Sequence, residues 1–162
     1  MKKLALLFSL LFVLAISGSL KAQDYKSAIG LRLGYPISAS YKFFISEPAA
    51  IELYAGFRGY TFYNYINLGA MYQYHFPIES VEGLHWYVGG GASAIIYNYD
   101  SGFTNEGSFG IGINGALGLD YKFANAPINL SVDWLPTIYV GSGYLTGFGG
   151  GLGALSVRYT LN

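Results

Sequence analysis

Residues 65–76, YINLGAMYQYHF, alternate between apolar and polar side chains over most of their length. Ile66, Leu68 and Tyr72 share one face of an extended chain, and Asn67 and Gln73 share the opposite face. Because the side chains of a β-strand point alternately to its two faces, this period of two residues predicts a strand with one apolar and one polar face.

The same alternation recurs along the rest of the chain. The eight predicted strands are residues 27–34, 37–45, 50–59, 65–76, 84–97, 108–123, 127–140 and 148–161. The segments between them are rich in Pro, Gly, Asn and Tyr, and most are typical of turns and loops. No helical period and no linker interrupts the pattern. The sequence therefore predicts a single all-β domain.

The N-terminus has the features of an export signal. Lys2 and Lys3 precede an apolar run at residues 4–16, and a short stretch rich in small residues follows as far as Ala22. The run is shorter than the roughly 20 residues that a membrane-spanning helix needs. We therefore expect residues 1–22 to be a signal peptide and residues 23–162 to form the mature domain.

The composition excludes several classes of protein. Hydrophobic residues make up 52% of the chain and charged residues 11%, whereas ordinary soluble domains have about 25% charged residues. After residue 22 the chain has six basic and nine acidic side chains, so we expect no nucleic-acid partner. The chain has no cysteine, which excludes disulfides and a lipid-modified cysteine.

Charged side chains indicate which face of the strands meets water. Eight of them fall within the predicted strands, all on the polar face: Arg32, Lys42, Glu52, Arg58, Asp120, Lys122, Asp133 and Arg158. Eight charges are too few for the exterior of a soluble barrel, but they fit the interior of a small one. The apolar face would then contact lipid, where a sheet must close to pair its backbone groups. We therefore predict an eight-stranded antiparallel up-and-down transmembrane β-barrel.

We expect the interior charges to be paired, because a buried charge without a partner is costly. Counting from the turn at 46–48 sets Lys42 opposite Glu52, and counting from the last loop sets Asp133 close to Arg158. Arg32 and Arg58 are expected nearer the outer end of the barrel, and the sequence assigns them no partner. In the favoured interpretation these side chains plug the lumen, and the alternative is a gated ion path.

The glycine-rich segments allow a second interpretation. Gly110, Gly112 and Gly115 have the spacing of a dinucleotide-binding loop. Such a loop needs a helix after the glycines, and no helical period follows Gly115. Inward-facing glycine instead makes room for large side chains that cross a narrow barrel, and we expect Gly110, Gly112 and Gly118 to do so. We expect no cofactor.

The two histidines give little support to catalysis or metal binding. His75 and His85 flank the turn at 77–83, and neither has a cysteine or a cluster of carboxylates close by in sequence. No Ser–His–acid spacing accompanies them. We expect both to be interface residues at the periplasmic end, and we expect no catalytic, cofactor-binding or metal-binding residue.

The chain resembles the small outer-membrane β-barrel proteins of the OmpA/OmpX-like type. The resemblance is carried by the export signal, the alternating strands and the segments GLRLGYP (30–36), AIELYAGFR (50–58), INLSVDW (128–134) and LSVRYTL (155–161). It implies a protein of the Gram-negative cell outer membrane, inserted by the barrel-insertion machinery, in contact with outer-membrane lipid and without a peptidoglycan-binding domain. We expect a monomer.

The function expected of such a barrel is non-enzymatic, either structural or in surface interaction. The contact surface would be the loops at 60–64, 98–107 and 141–147, since loops on a rigid scaffold often carry recognition. Their extracellular ligand is not identified by the sequence. One alternative is a small transport conduit for ions or apolar molecules, and a second is a lipid-modifying outer-membrane enzyme.

Overall fold

The structure, a computed structural model, describes residues 25–99, 108–141, 147–149 and 153–161. Its strand segments are β1 Ser27–Gly34, β2 Ser38–Ser46, β3 Ala49–Gly59, β4 Tyr63–Pro77, β5 Leu84–Tyr99, β6 Ser108–Lys122, β7 Ile128–Trp134, β8 Thr137–Gly141, β9 Gly147–Gly149 and β10 Gly153–Leu161. Within these ranges no helix is long and apolar enough to cross a membrane. The predicted signal peptide, residues 1–22, lies outside the described residues.

The ten segments build a closed barrel of eight strands. From β1 to β6, every strand is antiparallel to the next one along the chain. Segments β7 and β8 both pair with β6 and form one barrel strand. Segment β9 pairs with β8, segment β10 pairs with β7, and together β9 and β10 form the last barrel strand. Segment β10 also pairs with β1, which closes the ring. The predicted eight-stranded antiparallel barrel is confirmed.

Strand β6 contains the glycines that resemble a nucleotide-binding loop. Gly110, Gly112 and Gly115 all lie inside its single run from Ser108 to Lys122, and a turn follows it. The strand–loop–helix unit that a dinucleotide requires is therefore not formed there. The Gly115 N–H donates to the Pro136 carbonyl at 2.8 Å. Near this residue the pairing partner of β6 changes from β7 to β8.

The barrel has two different ends. At one, which we call the turn end, short turns at 47–48, 78–83 and 123–127 join the strands, and Ser27 lies opposite Leu161. Gly83 in the second turn has a φ of 79°, a left-handed conformation that glycine adopts without steric cost. The opposite end, the loop end, holds residues 35–37 and 60–62. The predicted loops at 98–107 and 141–147 lie largely outside the described residues.

The two faces of the barrel wall have opposite polarity. Large apolar side chains point outward and are exposed, among them Ile29, Leu31, Leu33, Leu53, Phe57, Leu68, Val88, Ile111, Ile113, Leu117, Val132, Leu155 and Val157. The inner face carries polar and small side chains, most of them buried. In the described strands every Asp, Glu, Lys and Arg lies on this inner face. The interior of the barrel is therefore its polar core.

Candidate functional site

Six charged side chains meet inside the barrel. They are Arg32, Lys42, Glu52, Asp120, Asp133 and Arg158, and each is more than nine-tenths buried. We call these six residues and the polar side chains that bond to them the lumen network. Its three positive and three negative charges balance, so the network has no net charge. Burial of so many charges is tolerated only where each one is paired and hydrogen-bonded.

Glu52 is the centre of the lumen network. Its Oε1 accepts hydrogen bonds from Ser40 Oγ at 2.7 Å and from Arg32 Nη1 at 3.3 Å. The same oxygen accepts from Arg158 Nη2, and Oε2 accepts from Gln73 Nε2 at 2.6 Å. The side chain is completely buried. Its four donors replace the water that the carboxylate loses on burial.

Arg32 and Asp133 form a two-pronged ion pair that crosses the bore. Arg32 Nη1 donates to Asp133 Oδ2 at 2.9 Å, and Nη2 donates to Oδ1 at 2.6 Å. The Tyr87 hydroxyl donates to Asp133 Oδ2 at 2.7 Å. These three residues come from β1, β7 and β5, which are not adjacent in the barrel wall. The contact therefore ties distant parts of the wall together.

Lys42 forms the turn-end half of the network with Asp120. Its Nζ donates to Asp120 Oδ2 at 2.5 Å and to His75 Nε2 at 2.9 Å. Asn129 Nδ2 donates to Asp120 Oδ1 at 2.6 Å. Arg158 Nη1 donates to Asn129 Oδ1 at 3.2 Å, and this contact connects the Lys42 group to Glu52. The hydrogen bonds thus form one continuous network along the lumen.

The predicted pairing of Lys42 with Glu52 is wrong, although the register behind it is right. The two residues are opposite each other in the β2–β3 ladder, yet the Lys42 ammonium pairs with Asp120. Neighbouring side chains on the inner face of a barrel project side by side into the bore, and long ones reach partners across it. Adjacency in the ladder therefore does not decide which charges meet.

The predicted contact between Asp133 and Arg158 is also wrong. In the β7–β10 ladder Asp133 lies opposite Ala154, and Arg158 lies opposite Asn129. Asp133 pairs with Arg32 instead. The last loop is rich in glycine and has no turn signature that fixes its centre, so counting from it misplaced the register.

The remaining two charged residues of the predicted set lie outside the lumen network. Lys122 is near the turn end, where its Nζ donates to the carbonyl oxygens of Phe123 at 2.6 Å and Ala126 at 2.9 Å. Arg58 is at the loop end, with its guanidinium carbon 3.8 Å from the centre of the Tyr35 ring. Both side chains are half-buried.

The prediction that His75 is an interface residue is wrong. Its ring is completely buried inside the barrel, between the rings of Phe44 and Tyr87 with centroids 5.1 and 5.0 Å away. An ammonium group can only donate, so the bond from Lys42 makes His75 neutral, with its proton on Nδ1. His85 is half-buried at the turn end. Among the described residues, no group of three or more His, Cys, Asp or Glu could hold a metal ion.

Inward-facing glycines leave space for large side chains. A Cβ at Gly118 would lie 2.6 Å from Tyr87 Cζ, and one at Gly69 would overlap the Tyr54 ring. Tyr54, Tyr87 and Met71 belong to the buried cluster of the interior. None of these three residues was predicted to lie in the lumen. For Tyr87 the signal was present, since it follows the outward-facing Trp86 by one residue.

A small cavity remains between the lumen network and the loop end. It has a volume of about 40 Å³, and its polar lining includes Arg32, Tyr54, Asn67, Ser93 and Asn114. One water needs at least about 10–15 Å³, so the cavity has room for about three. This is far below the several hundred Å³ of a drug-sized ligand site.

Aromatic side chains cluster on the outer surface near the turn end. The rings of Phe76 and Trp86 stack with centroids 4.3 Å apart, and Tyr74 packs on Phe76 at 5.0 Å. Tyr121 and Phe123 make an edge contact at 4.8 Å. Membrane-spanning barrels carry aromatic girdles of this kind at the boundary between lipid and water.

Comparisons with known proteins support the fold. No protein-family model matches the sequence, and no curated protein matches it. Among solved structures, the chain is similar to the crystal structure of Neisserial surface protein A (NspA). The TM-score is 0.53 at 15% sequence identity, over 83% of this chain and 93% of that one. At this identity the likeness concerns the fold, a closed antiparallel barrel.

Proposed function

We propose that this chain is an integral outer-membrane β-barrel with a non-enzymatic role in membrane structure or surface interaction. One observation carries the proposal: the barrel wall is apolar outside and charged inside. A soluble barrel hides its apolar face, whereas a membrane barrel presents that face to lipid. The surface-protein name of the structural neighbour NspA agrees with this role.

The exposed apolar surface supports a membrane location for a simple energetic reason. Leu31, Val132 and Phe57 are 54%, 51% and 62% exposed, on three different barrel strands. Soluble monomers rarely expose contiguous apolar patches larger than a few hundred Å². Lipid removes this penalty, and the closed sheet leaves no backbone edge for lipid to contact.

The lumen network favours a plugged barrel over the conduit alternative. Glu52 and Arg158 are fully buried in the bore and bonded to each other, and the cavity above them is small. Ion flow would require several buried ion pairs to separate at once. The enzyme alternative has less support, because the contacts of the lumen histidine, His75, are with the Lys42 ammonium and two aromatic rings.

Two measurements on the processed chain test this proposal. After expression with its export signal, the protein should fractionate with the outer membrane and need detergent for extraction. The folded barrel should migrate faster on a gel before heating than after heating. Unchanged lipid A in overproducing cells would agree with a non-enzymatic role. Recovery of the protein as a monomer in detergent-free buffer would contradict the proposal.

A further inference from the structure

Two buried polar atoms near the loop end have no hydrogen-bond partner among the residues that the structure describes. They are Arg58 Nε and Asn67 Oδ1, and the lumen network uses neither. Asn67 is 8% exposed and lines the small cavity above the network. Buried polar groups in folded proteins nearly always have a partner, so an unpaired donor and an unpaired acceptor near the same end of the lumen call for a partner that the described side chains do not supply.

The two atoms belong to neighbouring positions on the inner face. In the β3–β4 ladder, Gly56 lies opposite Asn67 and Arg58 lies opposite Tyr65. Arg58 and Asn67 are therefore diagonal neighbours, a relation that sets residues about 7–8 Å apart. Because both side chains lie on the inner face near the loop end, one polyhydroxylated ring in the mouth of the barrel can contact both.

Arg58 also differs from the cations of the lumen network in its electrostatics. Arg32, Lys42 and Arg158 each face a carboxylate, whereas Arg58 has no ion pair with any described residue. Its guanidinium lies against the ring of Tyr35 and 5.1 Å from the ring centre of Tyr60. Stacking of this kind leaves the in-plane N–H groups directed to other partners, and a guanidinium fork matches the oxygens of a carboxylate or phosphate.

Further tyrosine rings lie at the loop end beside those that contact Arg58. Tyr60 and Tyr63 stack with centroids 4.6 Å apart, and Tyr65 and Tyr97 stack at 5.0 Å. Tyrosine combines an apolar ring with a hydroxyl that forms hydrogen bonds. Such rings can pack against the C–H face of a sugar and also bond to its hydroxyls.

We propose that the loop end of the lumen binds an anionic saccharide. Arg58 holds the carboxylate or phosphate, the tyrosines contact the ring, and a ligand hydroxyl donates to Asn67 Oδ1. The cavity has room for a hydroxyl or hydroxymethyl group, so the ring itself stays in the mouth of the barrel. This site deepens the surface-interaction role proposed above and rests on it. The saccharide is either the headgroup of an outer-leaflet glycolipid or a soluble acidic sugar.

Calorimetric titration of the processed chain in detergent micelles tests the site. The probes are glucuronic acid, glucose 6-phosphate and uncharged glucose. The acidic sugars should bind at least about tenfold more tightly than glucose, and Arg58→Gln should remove that difference. Asn67→Ala should weaken the binding of all three. The matched control is Lys26→Gln, which removes an exposed cation at the turn end and should change nothing.

A second titration distinguishes the two sources of the saccharide. Nanodiscs with and without lipopolysaccharide receive the wild-type protein and Arg58→Gln. If the protein associates with lipopolysaccharide through Arg58 but does not bind the free acidic sugars, the ligand is a lipid headgroup. If it binds the free acidic sugars, the ligand is a soluble sugar.

Three results would overturn the site: equal binding of glucose and the acids, no binding in either arm, or the same loss in Lys26→Gln as in Arg58→Gln. Heat-modifiable migration of each variant shows that the barrel is intact. A binding failure in an intact barrel therefore rejects this site and leaves the membrane-barrel proposal standing.

Discussion

Substitution of Glu52 by glutamine tests the lumen network at its centre. The change preserves the size of the side chain but removes the charge that faces Arg32 and Arg158. It also places an amide where two carboxylate oxygens now accept four hydrogen bonds. Removing one partner of a buried ion pair costs about 3–5 kcal/mol, which is roughly two to four powers of ten in the unfolding equilibrium constant.

Equilibrium urea unfolding in lipid vesicles, followed by tryptophan fluorescence, measures this loss. The control is Glu47→Gln, the same chemical change at an exposed turn residue, and it should stay within about 0.5 kcal/mol of wild type. Combining Glu52→Gln with Arg158→Met removes both charges. The double variant should lose at least about 1 kcal/mol less than the sum of the single losses. Equal free energies of unfolding for Glu52→Gln and Glu47→Gln would refute the reasoning. A double-variant loss equal to the sum of the two single losses would refute it as well.

Three further predictions concern the glycines, the outer face and the bore. Gly118→Ala should lower the free energy of unfolding in urea by about 1–3 kcal/mol, because the new methyl group overlaps Tyr87. Gly90→Ala should leave it unchanged, because the nearest atom to the new methyl group is 3.6 Å away. Equal stability of the two variants would refute the packing argument. Leu31→Lys, in mid-strand and facing outward, should cost about 2–4 kcal/mol in lipid vesicles, whereas a water-exposed site would tolerate it within about 0.5 kcal/mol. Wild-type protein in planar bilayers should give no steady conductance, because the lumen network fills the bore, and steady open channels would favour the conduit.

The strands and their faces could be predicted from the sequence because both follow from local alternation. Leu68 and Asn67 are adjacent in the chain and point to opposite sides of the wall, and the structure exposes the first and buries the second. All the charged side chains of the strands fall on one face, and this segregation identified that face as the interior of the barrel. This inference needed no knowledge of distant contacts.

The partners of the lumen charges could not be predicted because they depend on geometry across the bore. Lys42 and Asp120 are 78 residues apart and sit on opposite parts of the wall. Their meeting depends on the stagger of all the intervening strands and on the rotamers of long side chains. The alternation did place His75 on the polar face, but its nearness to a turn suggested a rim position instead of the buried one it occupies.

Fluorescence quenching of the tryptophans tests the inverted polarity of the wall most directly. Trp86 and Trp134 are the two tryptophans of the chain, and they point outward with 37% and 49% of their surface exposed. In vesicles of brominated phospholipid, the bromine atoms on the acyl chains should quench their emission more strongly than iodide in the aqueous phase does. Strong quenching by iodide with none by brominated lipid would place the apolar face in water and contradict the account.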